Sequence, residues 1–191
     1  RKQLLEYDDV ANDQRRETYQ LRNQVLEAQG VNDLVANLRA DVFAEVVATY
    51  LSAESLPEQW DIAGLERELQ AEWGIHLLLQ DRIHSANEVE VEDVTAWVHE
   101  AVEIAYQAKI ELADRSSFDA FERSVFLYSL DTHWREHLAA LDYLRQGIHL
   151  RGYAQKDPKQ EYRREAFELY AELLQSVKRD VTRTIMTVKT Q

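Results

Sequence analysis

The feature that most constrains this chain is how little separates its last two long helical patterns. From Phe118 to about Leu150, apolar residues recur every three or four positions: Phe121, Val125, Leu127, Leu130, Trp134, Leu138, Leu141, Leu144 and Ile148. A second stripe runs through Tyr162, Ala166, Leu169, Tyr170, Leu173, Val177, Val181, Ile185 and Val188. Between them, Gly152 suits a helix end, Asp157 an N-cap and Pro158 the first helical position, with Gln160 three residues after the cap. A link of about five residues between helices of about 33 and 31 residues forces an antiparallel hairpin. At ~1.5 Å per residue its arms reach up to ~45–50 Å.

The rest of the chain also reads as helix, because five Gly and two Pro in 191 residues leave few of the turns that sheets require. Residues 1–29 form one helical pattern ended by Gly30, with a thin stripe of Leu4, Tyr7, Ala11, Leu21 and Val25. Such a helix buries too little to stand alone and is expected to serve as a rod for other elements. Asp33 is the expected N-cap of a second helix, with Leu34, Leu38, Val42, Val46 and Tyr50 on one face. A capping box at Ser55-Leu-Pro-Glu58 is expected to open a third, running through Trp60, Leu65, Leu69 and Trp73 to Gly74. Residues 75–92 are ambiguous, and Val94, Trp97, Val98, Ala101, Ala105 and Leu112 mark a further helix. The fold class is all-α.

Charge divides the chain. The net charge of -13 is made of -1 over residues 1–29, -14 over 30–114 and +2 over 115–191. The acidic middle argues against a duplex nucleic-acid binder, while the last third stays eligible for an anionic partner. From Tyr143 to Arg164, six bases (Arg145, Arg151, Lys156, Lys159, Arg163, Arg164) face two acids (Asp157, Glu161), giving +4 around the turn.

Most active-site chemistries are missing. With no Cys, no disulfide, thiolate site or thiol nucleophile exists. The glycines at 30, 64, 74, 147 and 152 make neither a P-loop nor a dinucleotide turn, and there is no nucleophile elbow. His133-Trp-Arg-Glu136-His137 matches the inverted zinc-protease pattern, but a third ligand is left to generic candidates such as His149, Asp131 or Asp142, and Trp134 and Leu138 tie that turn to a core. Trp60, Trp73, Trp97 and Trp134 sit at core spacing, and His76, His84 and His99 stand alone. Tyr153, flanked by Gly152 and Ala154, has two open readings from spacing: it caps the hairpin or contacts a partner. No apolar run approaches the ~18 residues of a membrane span and nothing resembles a signal peptide. A start at Arg1, inside a helical pattern and without Met, is expected of a piece of a longer, soluble polypeptide.

The stretch Leu138-Ala-Ala-Leu-Asp-Tyr-Leu-Arg-Gln-Gly-Ile-His-Leu-Arg-Gly-Tyr-Ala-Gln-Lys-Asp-Pro-Lys-Gln-Glu-Tyr162 resembles the two-helix finger of the SecA family, the bacterial preprotein translocase motors. Arg1-Lys-Gln-Leu-Leu-Glu-Tyr-Asp-Asp-Val10 and Asn12-Asp-Gln-Arg-Arg16 are similar to that family's long scaffold helix. The resemblance implies a helical scaffold domain from residues 1–29 and 115–191, the latter holding the finger, with a helical wing domain inserted over 30–114. It implies a finger that enters the SecYEG channel mouth and contacts unfolded preprotein through Gly152, Tyr153, Ala154, Gln155 and Lys156. Arg145, Arg151, Lys159, Arg163 and Arg164 would then meet acidic channel loops or anionic lipids. Further implications are packing on the motor domains in cis, restraint of their ATPase, and a cytoplasmic location at the inner face of the membrane. ATP and magnesium are expected only in those motor domains, and this stretch is expected to hold no catalytic residue, cofactor or metal. Two other classes compete with that reading: a basic helical hairpin for nucleic acid, and a zinc hydrolase on His133, Glu136 and His137.

Overall fold

A computed structural model describes residues 2–148, 150 and 157–189, with side chains from residue 6 onward. The described residues form helices and no strands: α1 (Lys2–Glu27), α2 (Asn32–Tyr50), α3 (Ile62–Trp73), α4 (Gln80–Ser85), α5 (Val91–Leu112), α6 (Arg115–Ile148) and α7 (Pro158–Thr187). The all-α expectation holds. Compact packing divides the chain into one unit of residues 1–29 and 123–180 and a second of 30–122 and 181–191. Of the three division points, 29/30 falls between α1 and α2, while the other two fall inside α6 and α7, so the compact units are a different kind of partition from the domain ranges the resemblance implies.

In the first unit, α1, α6 and α7 lie side by side with a constant register. Gln14 bonds Ala166 and Thr18 bonds Tyr170, both across 152 residues, so α1 and α7 run parallel. Arg22 meets Asp131 and Asp8 meets Arg145, an order that reverses along the chain, so α1 and α6 are antiparallel. The two arms of the expected hairpin are therefore antiparallel to each other. At the end of α1, the Arg123 guanidinium donates to the carbonyls of Val25 and Leu26 at 2.6 and 3.1 Å, satisfying last-turn groups that have no intrahelical partner.

In the second unit, α2 packs on α5 and α3. Its buried face is Val35, Arg39, Val42, Phe43, Val46 and Val47, which shares only Val42 and Val46 with the five-residue stripe expected and carries a charge within it. Asp33 is not the cap. The helix starts at Asn32, and the Val31 amide donates instead to Asp119 Oδ1 at 2.8 Å, so a carboxylate remote in sequence does the capping while Asp33 sits exposed in the first turn. The capping box at Ser55 is also absent. Pro57–Gln59 is an isolated 3₁₀ turn closed by Leu56 N–H to Gln59 Oε1, and α3 begins later, capped by Asp61 Oδ1 accepting from Gly64 at 2.9 Å. A Cβ at Gly64 would lie 2.2 Å from that same carboxylate and 2.9 Å from the Tyr50 ring, which explains glycine there. Gly74 closes α3 at φ +68°, a left-handed cap that L side chains resist. The ambiguous stretch resolves through Glu66 on α3, whose Oε1 accepts from Leu79 and Gln80 and so caps α4.

One buried polar cluster ties α2, α5 and α6 together. Arg39, 3% exposed, forms a two-pronged pair with Glu103 at 2.8 and 3.0 Å, and its guanidinium lies 3.7 Å over the Tyr106 ring. The Tyr106 hydroxyl donates to Glu122 Oε2 at 2.8 Å and lies 3.0 Å from the Asn32 side-chain oxygen. Glu122 is 1% exposed, and desolvation raises its pKa. Tyr106, also desolvated and facing Glu122, is raised as well.

A raised folded-state pKa means that the stability Glu122 contributes is complete below its unfolded pKa and lost as pH rises through the folded value. Glu122→Gln, which mimics the protonated acid, is expected to gain stability relative to the parent sequence as pH rises from 5 to 8, measured by urea denaturation. Tyr106→Phe removes the O–H that Glu122 accepts and is expected to cost about 1–3 kcal/mol by the same measurement.

Candidate functional site

Within the first unit the best-defined surface is the end of the α6/α7 pair nearest residues 149–156. Leu141, Leu144 and Ile148 of α6 form one cluster with Tyr162 and Ala166 of α7 and Tyr7 of α1, edged by Val10, Ala11 and Leu169. The Tyr7 and Tyr162 rings meet edge to face at 4.6 Å. Desolvation raises the Tyr162 pKa, so its hydroxyl stays protonated at neutral pH. Asp157 caps α7 as expected, accepting from the Lys159 amide at 3.1 Å. Gly147 does not interrupt α6, which continues to Ile148.

The expected tip residues Gly152, Tyr153, Ala154, Gln155 and Lys156, together with Arg151 and His149, lie outside the described residues. The bases flanking them do not. Arg145 pairs with Asp8 at 3.1 Å and Lys159 with Glu6 at 3.0 Å, so α1 neutralises two of the charges counted around the turn. Arg164 reaches Glu161 only at 4.0 Å, and Arg163 is exposed. Three large apolar side chains also face solvent: Tyr143 at 80%, Leu150 at 77% and Phe167 at 73% exposure. Sequence reading missed Tyr143 and Phe167, although each lies off the apolar stripe of its helix, and that is the signal that marks an outward aromatic.

Farther along the same unit, a polar ladder runs through the packing. The Gln14 amide nitrogen donates to the Ala166 carbonyl at 3.0 Å, which turns Gln14 Oε1 toward His137 Nε2 at 2.5 Å. A carbonyl can only accept, so His137 must carry its proton on Nε2. Burial lowers the His137 pKa to about 4, and the ring is neutral at pH 7. It packs against Trp134 and edge-on to Tyr170, whose hydroxyl bonds Thr18 at 2.9 Å. His133 points elsewhere, to Asp180 across the pair and to Glu136. The two histidines of the zinc-like pattern thus serve different partners, and no group of three described His, Cys, Asp or Glu is placed to hold a metal ion. A hollow of about 410 Å³ lies between α1 and α6, lined by Tyr19, Arg22, Asn23, Asp131, Trp134 and Arg135, but its central charges are already paired, Arg22 bonding Asp131 at 2.9 and 3.3 Å. None of the described helices is long and apolar enough to cross a membrane.

A family model described as the SecA wing and scaffold domain matches residues 1–189. The protein translocase subunit SecA of Polynucleobacter necessarius is 62% identical over 99% of the chain, and that of Ralstonia nicotianae 60% identical over all of it. In each case the match covers 20% of the relative, so the chain spans about a fifth of the length of these proteins.

His137 has a pKa below its unfolded value of about 6.5, so the stability it contributes is present above that value and is lost as pH falls toward 4. Acid denaturation of the first unit is expected to include about 2–3 kcal/mol from this ring between pH 6.5 and 4. His137→Gln should flatten the stability profile over that interval, followed by circular dichroism under urea.

Proposed function

The chain belongs to the SecA wing and scaffold family, and on that premise we propose that it is the part of a protein-export motor that carries movement from an ATPase to a polypeptide in transit. The scaffold is α1 with the α6/α7 pair, and α2–α5 supply the wing. The partners are the SecYEG channel, unfolded preprotein and the motor domains of the same longer polypeptide. ATP and magnesium act in those motor domains, while this segment is structural, mechanical and regulatory. Its place is the cytoplasmic face of the membrane, as a peripheral protein.

The observation that carries this reading is the end of the α6/α7 pair: a cross-braced three-helix base, with Tyr143 and Leu150 projecting into solvent beside it. Aromatic and aliphatic contacts grip many sequences because they require no fixed hydrogen-bond pattern, which suits a substrate of no set sequence. Tyr153 and its neighbours Gly152, Ala154, Gln155 and Lys156 form the contact point. Arg151 and Arg163, with weaker help from Arg164, meet acidic channel loops or anionic headgroups in a salt-dependent way. Arg145 and Lys159 play a different part, since α1 already pairs them. That pairing also weighs against a nucleic-acid hairpin, which needs free cations for phosphates.

Tyr153→Ala in the full-length translocase is expected to reduce transport of a preprotein into channel-bearing vesicles about tenfold while basal ATP hydrolysis stays within twofold. Equal loss of both activities would contradict a contact role for this residue.

A further inference from the structure

Three consecutive residues of α1 hold both arms of the hairpin at one level. Successive residues of a helix point 100° apart, so Glu6 and Asp8 flank Tyr7 on opposite sides. Tyr7, 4% exposed, enters the cluster between the arms and meets the Tyr162 ring at 4.6 Å. Glu6 takes the α7 arm through Lys159 at 3.0 Å, and Asp8 takes the α6 arm through Arg145 at 3.1 Å. The Arg145 guanidinium also lies 5.6 Å from the Tyr7 ring centre, so the aromatic and ionic contacts share a residue.

The arrangement is more specific than a packed helix requires. Burial of Tyr7 alone would hold α1 against the pair, yet each neighbour carries an acid matched to a base on a different arm. Both pairs are partly exposed, at 55% and 30% for Asp8 and Arg145 and 34% and 32% for Glu6 and Lys159. Such pairs add little stability but fix orientation, and salt screens them. We propose that Glu6, Tyr7 and Asp8 form a clasp that sets the pose of the hairpin, so that a displacement of α1 reaches both arms together just below the tip. These are positioning residues, and the proposal deepens the reading of the hairpin as the contact point for preprotein and rests on it.

The test is a charge exchange in the full-length translocase. Asp8→Arg and Arg145→Asp, each alone, are expected to lower the preprotein moved per ATP hydrolysed about fivefold, with the ATPase rate itself within twofold. The double exchange restores the ratio to within twofold. Parallel loss of transport and hydrolysis, or no recovery in the double variant, would overturn the clasp. A second measurement decides the clasp even if the hairpin proves not to touch substrate. This stretch has no Cys, so in a full-length translocase with its remaining cysteines replaced, spin labels at cysteines introduced for Asp9 and Arg163, both exposed, report the α1-to-α7 distance alone. Asp8→Arg is expected to broaden that distance distribution and the double exchange to narrow it again; an unchanged distribution in the single variant would overturn the proposal.

Discussion

The packing of α1 between the two arms is the constraint on which the first unit depends. An α-helix with only a thin apolar stripe cannot be held by burial alone, and the positions between its apolar residues must find partners too. The structure solves this with polar residues turned inward. Gln14 and Thr18 occupy the same face as Tyr7 and Val25, and each is satisfied by a group of the hairpin. Because those bonds are directional, they fix the register of the three helices as apolar contacts would not. A shift of α1 by one turn would strand Gln14 and His137 at once, at about 1–3 kcal/mol for each unsatisfied group.

The second unit uses a related device with charge. Arg39, Glu103, Tyr106 and Glu122 occupy the places where α2, α5 and α6 approach, and their mutual geometry decides which face each helix presents. Buried charge of this kind adds specificity more readily than stability, since both ions lose water to make the pair. Glu122 is the costly member. The nearest guanidinium is committed to Glu103, so the burial of Glu122 is met by a raised pKa instead of by an ion pair. Glu122 belongs to the near-neutral last third of the chain, so the fully buried carboxylate is not one of the many acids of residues 30–114.

The long helices were legible because their apolar periods run for many turns, and Gly74 and Asp157 were legible as caps because each acts on its own neighbours. What misled was capping from afar. Asp119 caps α2 in place of Asp33, and Glu66 starts a helix where local signals are silent, whereas Asp61 is a local cap six residues beyond the expected Ser55 box. The hairpin charge shows the same limit. Counting residues near the turn gave +4, yet Glu6 and Asp8, far away in sequence, answer two of those bases. His133 and His137 matched a metal pattern by spacing, and only the third dimension sends one to Asp180 and the other to Gln14.

The central claim is that the end of this hairpin touches a moving polypeptide while a braced base holds it steady. The most direct measurement puts a photoreactive amino acid in place of Tyr153 within the full-length translocase and illuminates it with a preprotein stalled partway through the channel. A covalent adduct with the stalled chain that disappears when ATP is withheld from the start is the predicted result. Adducts confined to the motor's own domains, at any stage of transport, would contradict the account.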